Sequence, residues 1–134
     1  MMQFAGTLVI KEGQVLLVQE SHTSAYREWS LPLGSVETNE TLAEGAIRET
    51  KEETGYGVVV SKEHTLLMTG EELKSARRFH KEKVQLTIFE ADVVSGELSP
   101  GEDILNAKWH LIEDLDQLKL RGNWVKDLAT KTTR

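Results

Sequence analysis

Three glutamates in the stretch from residue 34 to residue 56 have the type and spacing of a cation site. Glu49, Glu52 and Glu53 are related as i, i+3 and i+4, so a helix would place them on one arc of its surface. Like charges this close destabilise an isolated helix. Hard divalent ions such as Mg²⁺ prefer oxygen ligands and commonly bridge protein carboxylates to substrate phosphates. The cluster therefore indicates a bound cation; an ordinary acidic amphipathic helix is the alternative, and composition alone favours it.

The same stretch carries its own signals for the start and end of a helix. Thr41 followed by Glu44 is a capping box, so we predict that the helix begins at Leu42. Gly55 has the residue type that commonly follows the last helical turn. The small side chains on the side away from Glu52, which suit close packing on a sheet, are Ala43, Ala46, Ile47 and Thr50.

The residues of this stretch resemble the signature box of the Nudix hydrolases, the MutT-like pyrophosphohydrolases. That box reads G-x5-E-x7-R-E-U-x-E-E-x-G-U, where U is a bulky apolar residue. The residues that match it at the required spacings are Gly34, Glu40, Arg48, Glu49, Glu52, Glu53 and Gly55. Two positions depart from the family pattern, because Thr50 replaces an apolar residue and Leu33 replaces the first glycine of a common pair. The likeness extends upstream to a W-x-L-P sequence at residues 29–32.

The resemblance implies the Nudix fold, an α+β arrangement in which a mixed β-sheet lies between helices as an α/β/α sandwich. Hydrophobic patterning predicts a hairpin of residues 3–10 and 14–20, with residues 15–18 buried on both faces of the sheet. Residues 71–83 are polar and lack core periodicity, which predicts a long loop or hairpin tip. The other predicted elements are one or two strands at 57–69, strands at 84–94 and 104–112, a helical turn at 113–120 and a helix at 123–130.

The resemblance also implies which groups would hold Mg²⁺, for which Mn²⁺ could substitute. Glu52 and Glu53 would be direct ligands, and Glu49 would be either a ligand or the base that activates water. The carbonyl of Gly34 would add a further ligand, since a residue without Cβ is easier to approach. Metal ions at a diphosphate can neutralise charge, activate water and stabilise the leaving phosphate.

A single arginine is implied to orient these carboxylates. Arg48 would hold a glutamate by a charge-assisted hydrogen bond, with Glu40 or Glu49 as its partner. Glu40 is then a structural residue, and Glu37 could reach an outer metal ion. The catalytic residues that follow from the resemblance are Glu49, Arg48 and Glu52.

The general base stays open between Glu49 and a carboxylate on a distant loop. The distant candidates are Glu82, Glu97, Glu102 and Asp103. Each of these is also a normal solvated surface charge. Glu102 and Asp103 are favoured among them, because a Gly-Glu-Asp-Ile segment before a strand tryptophan resembles the closing strand of the family.

A basic cluster at residues 74–83 is the other non-random feature of this acidic chain. Arg77, Arg78 and Lys81 are candidates for binding substrate phosphate by electrostatic attraction. Phe79, inside the cluster, could stack on a base or anchor the loop. An exposed polar hairpin tip explains the same residues equally well.

Composition places the chain among ordinary globular proteins. Its 134 residues suffice for one domain spanning 1–134, and 39% are hydrophobic. The formal charge of −6 argues against a general nucleic-acid partner. No cysteine is present, which excludes disulfides and thiolate nucleophiles. No apolar run approaches the roughly 18 residues of a membrane span, and no basic segment precedes the first apolar run, so we expect a cytoplasmic protein.

These observations predict a Mg²⁺-dependent enzyme that hydrolyses a phosphoanhydride bond in a nucleoside diphosphate linked to another group. The expected partner is a small molecule of the nucleoside triphosphate or nucleotide-sugar type, and the resemblance also allows a homodimer. Two alternatives stay open: a catalytically silent nucleotide-binding or regulatory module, and a pyrophosphohydrolase acting on the 5′ end of RNA. The basic cluster is the feature that favours the RNA reading.

Overall fold

A computed structural model describes residues 1–132 of the chain. The strands are β1 (Met2–Lys11), β2 (Gln14–Glu20), β3 (Trp29–Ser30), β4 (Leu33–Ser35), β5 (Tyr56–Thr69), β6 (Lys83–Gly96) and β7 (Ile104–Leu111). The α-helices are α1 (Leu42–Thr54) and α2 (Asn123–Lys131), and short 3-10 turns occupy Arg77–Phe79 and Ile112–Gln117. Among the described residues, no helix combines the length and the apolar character that a membrane span requires.

The strands form one mixed sheet with β1 near its centre. The order along the main path is β3-β2-β1-β6-β5, while β4 pairs with β1 and β7 pairs with β2. β1 and β6 are parallel, and the other pairs are antiparallel. The buried residues of β1 alternate between the two faces of the sheet: Phe4 packs in the cluster that contains α2, and Ala5 packs with Ala46 of α1. The two helices therefore lie on opposite faces of the sheet, as the α/β/α prediction requires.

The first hairpin follows the sequence prediction closely. Residues 15–18 are fully buried, as expected for a strand covered on both faces. Glu12 and Gly13 both have positive φ values, of 52° and 75°, which is the backbone of the tight turns that match the twist of paired strands.

Helix α1 begins and ends where its capping signals predict. Thr41 accepts a hydrogen bond from the Glu44 amide at 3.0 Å, the Glu44 side chain accepts one from the Thr41 amide at 2.9 Å, and Gly55 is left-handed with φ of 83°. Thr50, the departure from the family pattern, is fully buried against β1. Its hydroxyl donates to the Ala46 carbonyl, so the Thr7 hydroxyl donates to Thr50 across 2.7 Å. This pair satisfies both buried hydroxyls and ties the helix to the sheet.

Residues 70–82, hereafter the 70–82 loop, are more ordered than their polar composition predicts. Leu73 is fully buried in the main core and Ser75 is almost completely buried. Phe79 contacts Phe4 of β1 edge to face, with ring centroids 6.0 Å apart. The segment is a loop, as predicted, but it is not an exposed tip. Single apolar residues separated by charges leave no periodic signal, although each of them packs on the body of the protein.

Candidate active site

A cavity of about 560 Å³ opens where the carboxylate face of α1 meets β4, the end of β2 and the 70–82 loop. Its volume lies within the range of small-molecule sites. The residues that line it are Phe4, Glu20, His22, Thr23, Leu33, Gly34, Ser35, Glu49, Glu52, Glu53, Ser75, Ala76, Arg78, Phe79, Glu102, Asp103, Ile104 and Arg121. Four of them are the residues that sequence reasoning assigned to the metal, namely Gly34, Glu49, Glu52 and Glu53.

Glu53 lies on the floor of this cavity and is only 9% exposed. Its Oε1 accepts a hydrogen bond from the Leu33 amide at 3.3 Å. Burial raises the pKa of Glu53 well above its ordinary value, and the negative charges of Glu20 and Glu49 raise it further, while Arg121 opposes them. The arrangement therefore concentrates negative charge that Arg48 and Arg121 neutralise only in part.

Glu49 lies beside Glu53, and its carboxylate packs directly on Gly34. A Cβ placed on Gly34 would come within 2.2 Å of the Glu49 carboxyl carbon, so only glycine leaves room for that carboxylate. The side chain of Glu49 is 14% exposed. Burial raises its pKa, and the charge of Arg48 partly offsets this effect.

Arg48 holds the carboxylates of the box from one side. It forms a two-pronged ion pair with Glu40, with Nε to Oε2 at 2.7 Å and Nη2 to Oε1 at 3.0 Å. Its Nη1 donates to Glu49 at 3.0 Å and to Glu52 at 3.3 Å. Glu37 lies 3.7 Å away on the exposed side. The hydrogen bond from Arg48 lowers the pKa of Glu40 to about 2.

The donor chemistry of the floor fits a hard divalent cation. The groups are all oxygen donors, and the buried pair Glu49 and Glu53 carries mutual repulsion that a cation would relieve. Gly34 keeps side-chain atoms out of the space between its backbone and Glu49. Among residues 1–132, no three acidic or histidine side chains already surround one point as a complete metal site. Glu52, which is 58% exposed, points to Arg48 instead.

Two of the distant candidate bases lie in the segment that contacts the end of α1, where the Gly101 amide donates to the Glu53 carbonyl at 3.2 Å. Glu102 and Asp103 both line the cavity, whereas Glu82 and Glu97 are not among its described lining residues. Asp103 lies 3.1 Å from His22, and both side chains are mostly exposed. The Asp103 carbonyl accepts hydrogen bonds from the amide and the hydroxyl of Ser21, at 3.0 and 2.9 Å. The chain segment before β7 is thus fixed next to the cavity.

One residue of the basic cluster reaches the cavity. Arg78 lines it, with its guanidinium stacked 4.4 Å above the ring of Phe79. Arg77 and Lys81 are not among the described residues that line it.

Sequence reasoning missed two charged residues of the lining, Glu20 and Arg121. Glu20 is the last residue of the buried strand β2, so the end of an apolar run is the signal that could have indicated it. Arg121 lies just before α2, and its charge in a polar segment gives no sign that it is buried. The two side chains form an ion pair beside Glu53.

The contact between Gly34 and Glu49 predicts the effect of Gly34→Ala. The new methyl group would displace the flexible end of Glu49 and leave the backbone in place, so we expect the free energy of unfolding to change by less than about 1 kcal/mol. We expect kcat/KM to fall about 10²-fold, because a displacement near 1 Å at a reacting centre has that scale. Urea unfolding and steady-state kinetics measure both quantities; unchanged kinetics would contradict a role for this contact.

Comparisons with known proteins agree with the geometry. A family model described as NUDIX domain matches residues 3–131. A relative from Caenorhabditis elegans, named for the same family, is 34% identical over 113 residues, which cover 81% of this chain and 28% of that protein. An ADP-ribose pyrophosphatase of Methanocaldococcus jannaschii is 32% identical over 111 residues, covering 83% of this chain and 62% of its own length. The chain therefore spans less than two thirds of each of these relatives.

The fold has a close counterpart among solved structures. A NUDIX hydrolase from Nitrosomonas europaea superposes with a TM-score of 0.79 at 18% identity, and the match covers 97% of this chain and 86% of that chain. This similarity confirms the predicted α+β fold. With the family match over nearly the whole chain and four of the signature residues lining one cavity, the chain belongs to the Nudix hydrolase family.

Proposed function

We propose that the protein hydrolyses a phosphoanhydride bond in a nucleoside diphosphate linked to another group, with Mg²⁺ as its cofactor. The observation that carries this proposal is the buried carboxylate pair Glu49 and Glu53, packed against Gly34 at the floor of a cavity large enough for a nucleotide-sized molecule. Hydrolysis of the linked-diphosphate class is supported by the name of the Methanocaldococcus relative, an ADP-ribose pyrophosphatase.

We assign the cation to the side chains of Glu49, Glu52 and Glu53 and to the Gly34 carbonyl. When bound, a divalent cation would neutralise the diphosphate and make a water molecule a stronger nucleophile. Glu52, now directed to Arg48, would have to turn toward the cavity, which its exposure permits. Arg48 keeps its two-pronged pair with Glu40 and so holds its remaining donors near Glu49.

We propose that Glu49 is the general base that accepts a proton from the attacking water. It is held in the cavity by Arg48 and by its contact with Gly34, and burial raises its pKa above the ordinary value, which makes it a stronger base. Glu102 and Asp103, which also line the cavity, are the competing candidates. Replacing each carboxylate in turn by its amide identifies the base, because only the replacement of the base should abolish the acidic limb of the pH–rate profile.

Arg78 is the cation that we assign to substrate phosphate. We expect Arg78→Ala to raise KM about tenfold with little change in kcat, since it removes a contact made equally in the bound and transition states. Arg77→Ala is the matched comparison, because it removes the neighbouring charge outside the cavity lining. Equal effects of the two variants on KM would indicate long-range attraction by the loop instead of a contact by Arg78.

A panel of nucleoside triphosphates, nucleotide sugars, ADP-ribose and dinucleoside polyphosphates tests the proposal. Phosphate release is followed with and without an added phosphatase. Signal that needs the phosphatase identifies a phosphomonoester product and hence cleavage within a linked diphosphate. No product from any member, with tight nucleotide binding by a folded protein, would instead support a silent binding module. A triphosphorylated oligonucleotide in the same panel tests the RNA alternative.

A further inference from the structure

Arg121 is a charged side chain buried in the core next to the proposed active site. It is 1% exposed and lies between the 3-10 turn Ile112–Gln117 and helix α2. Burying a guanidinium is expensive unless its donors are paired. Since arginine presents five N–H donors in a planar fork, it can satisfy several acceptors from different segments at once.

The acceptors of Arg121 come from two separate parts of the molecule. On the 70–82 loop it donates to the Leu73 carbonyl at 2.6 Å and to the Lys74 carbonyl at 3.3 Å. On the sheet it pairs with the Glu20 carboxylate and donates to the Ser30 hydroxyl at 3.3 Å. One side chain thus joins the loop to the strands under the cavity.

Both ends of this link border the cavity. Glu20 lines it beside Glu53, and the negative charges of the two carboxylates act on one another. Ser75 and Ala76, which follow the bonded Leu73 and Lys74 carbonyls in the chain, line the same cavity. Because Arg121 bonds to both parts, losing its contacts would let residues 73–76 and Glu20 shift relative to one another.

Other contacts hold the rest of the loop independently. Beyond residues 73–75, His80 lies 3.0 Å from the Ser24 hydroxyl. Within them, the Lys74 side chain donates to both oxygens of Glu28 at 2.8 Å, a contact that does not involve Arg121. Phe79 packs on Phe4. Loss of the Arg121 contacts should therefore loosen residues 73–75 without releasing the whole loop.

We propose that Arg121 is a positioning residue that fixes residues 73–75 of the 70–82 loop against Glu20. It thereby keeps Ser75 and Ala76, on the loop side of the cavity, at a constant distance from the Glu49 and Glu53 carboxylates. This inference rests on the proposed function for its kinetic consequence. Its structural consequence needs neither substrate nor metal, so the two can fail separately.

Amide hydrogen exchange on the metal-free protein tests the structural consequence. The variant is Arg121→Lys, which keeps the charge but replaces the fork by one nitrogen; the control is Arg27→Lys on the exposed loop before β3. The Leu73, Lys74 and Ser75 amides, bonded to the Thr69, Glu71 and Gly70 carbonyls, report on the segment. We expect all three to exchange about tenfold faster in Arg121→Lys alone, the factor for one charge-assisted hydrogen bond. If these amides exchange no faster than in wild type, or if the β1 core amides accelerate by the same factor, the proposal is overturned. The second result would indicate global destabilisation and not a local effect.

Kinetics and a second variant test the link to the site. We expect Arg121→Lys to raise KM about tenfold while kcat changes less than about threefold, because Ser75 and Ala76 shift but the reacting groups do not. Glu20→Gln weakens the same link from its other end, and the double variant should show a non-additive effect on KM. Strict additivity, or a fall in kcat at constant KM, would refute positioning through the Glu20 pair.

Discussion

Replacement of Glu53 by glutamine is expected to lower kcat/KM by at least about 10³-fold. Glutamine keeps the size of the side chain but removes a negative charge that we propose binds the cation. The expected factor corresponds to a loss of roughly 4 kcal/mol of transition-state stabilisation. Glu63→Gln, at an exposed position of β5, is the matched control and should leave the rate unchanged. Turnover by Glu53→Gln at the wild-type rate would contradict the assignment of Glu53 as a ligand to the cation.

The same substitution should stabilise the metal-free protein at neutral pH. The folded-state pKa of Glu53 is raised well above its ordinary value of about 4.5, chiefly by burial. Between the unfolded and folded pKa values the native state therefore binds more protons, so this group lowers the free energy of unfolding as pH rises. We expect the melting temperature of Glu53→Gln to exceed that of wild type at pH 7, with the difference vanishing below about pH 4.5.

Thermal denaturation in EDTA across this pH range measures the effect. Added Mg²⁺ should raise the melting temperature of the wild-type protein and should leave that of the variant almost unchanged, because ligands that bind only the native state stabilise it. A variant that melts below wild type throughout, without metal, would show that the Glu53 charge is already compensated in the folded protein.

Replacement of Arg48 by methionine is expected to destabilise the protein by about 2 kcal/mol, less than the loss of one partner of a fully buried ion pair, because the Arg48 side chain is 24% exposed. The Glu40 and Glu49 side chains, 13% and 14% exposed, would both lose their cation. We expect kcat/KM to fall about 10²-fold as well, because Glu49 would lose the donor that orients it. Urea unfolding with activity measurements checks both effects; a stability change below about 1 kcal/mol would contradict this role.

The acid sensitivity of the Arg48 variant provides an independent check. The pKa of Glu40 is lowered to about 2, so its stabilising interaction is present above about pH 4.5 and is lost as pH falls toward 2. Wild type should therefore lose stability over that interval, and Arg48→Met should lose less. The double variant Glu40→Gln, Arg48→Met should recover part of the lost stability, since it leaves no unpaired Glu40 charge.

Helix α1 and its metal-site candidates could be predicted from the sequence because their signals are local. The capping box of Thr41 and Glu44, the left-handed Gly55 and the i, i+3, i+4 carboxylates all act within one helical segment. The Nudix likeness added Gly34, which lies fifteen residues before Glu49 in the sequence and packs against its carboxylate. Only the chain reversal between β4 and α1 was needed to bring these groups together.

The part of the cavity lined by Glu20, Arg78 and Arg121 could not be predicted, because its contacts join distant parts of the chain. Arg121 meets Glu20 across the sheet, and a buried arginine cannot be distinguished from an exposed one by residue type. The sequence offers Arg77 and Arg78 equally as phosphate-binding residues. In the structure the 3-10 turn at Arg77–Phe79 points their side chains in different directions, so Arg78 lines the cavity and Arg77 is not among its described lining residues. Such a turn has no periodic sequence pattern.

The dependence of turnover on free Mg²⁺ tests the central claim most directly. The substrate that the panel identifies is incubated with wild-type protein in EDTA, Mg²⁺ is then added back in steps, and the products are followed by ³¹P NMR. We predict no hydrolysis in EDTA, recovery that saturates with Mg²⁺, and no comparable recovery for Glu53→Gln. Hydrolysis that continues at the full rate in EDTA would contradict a cation held by the carboxylates of α1.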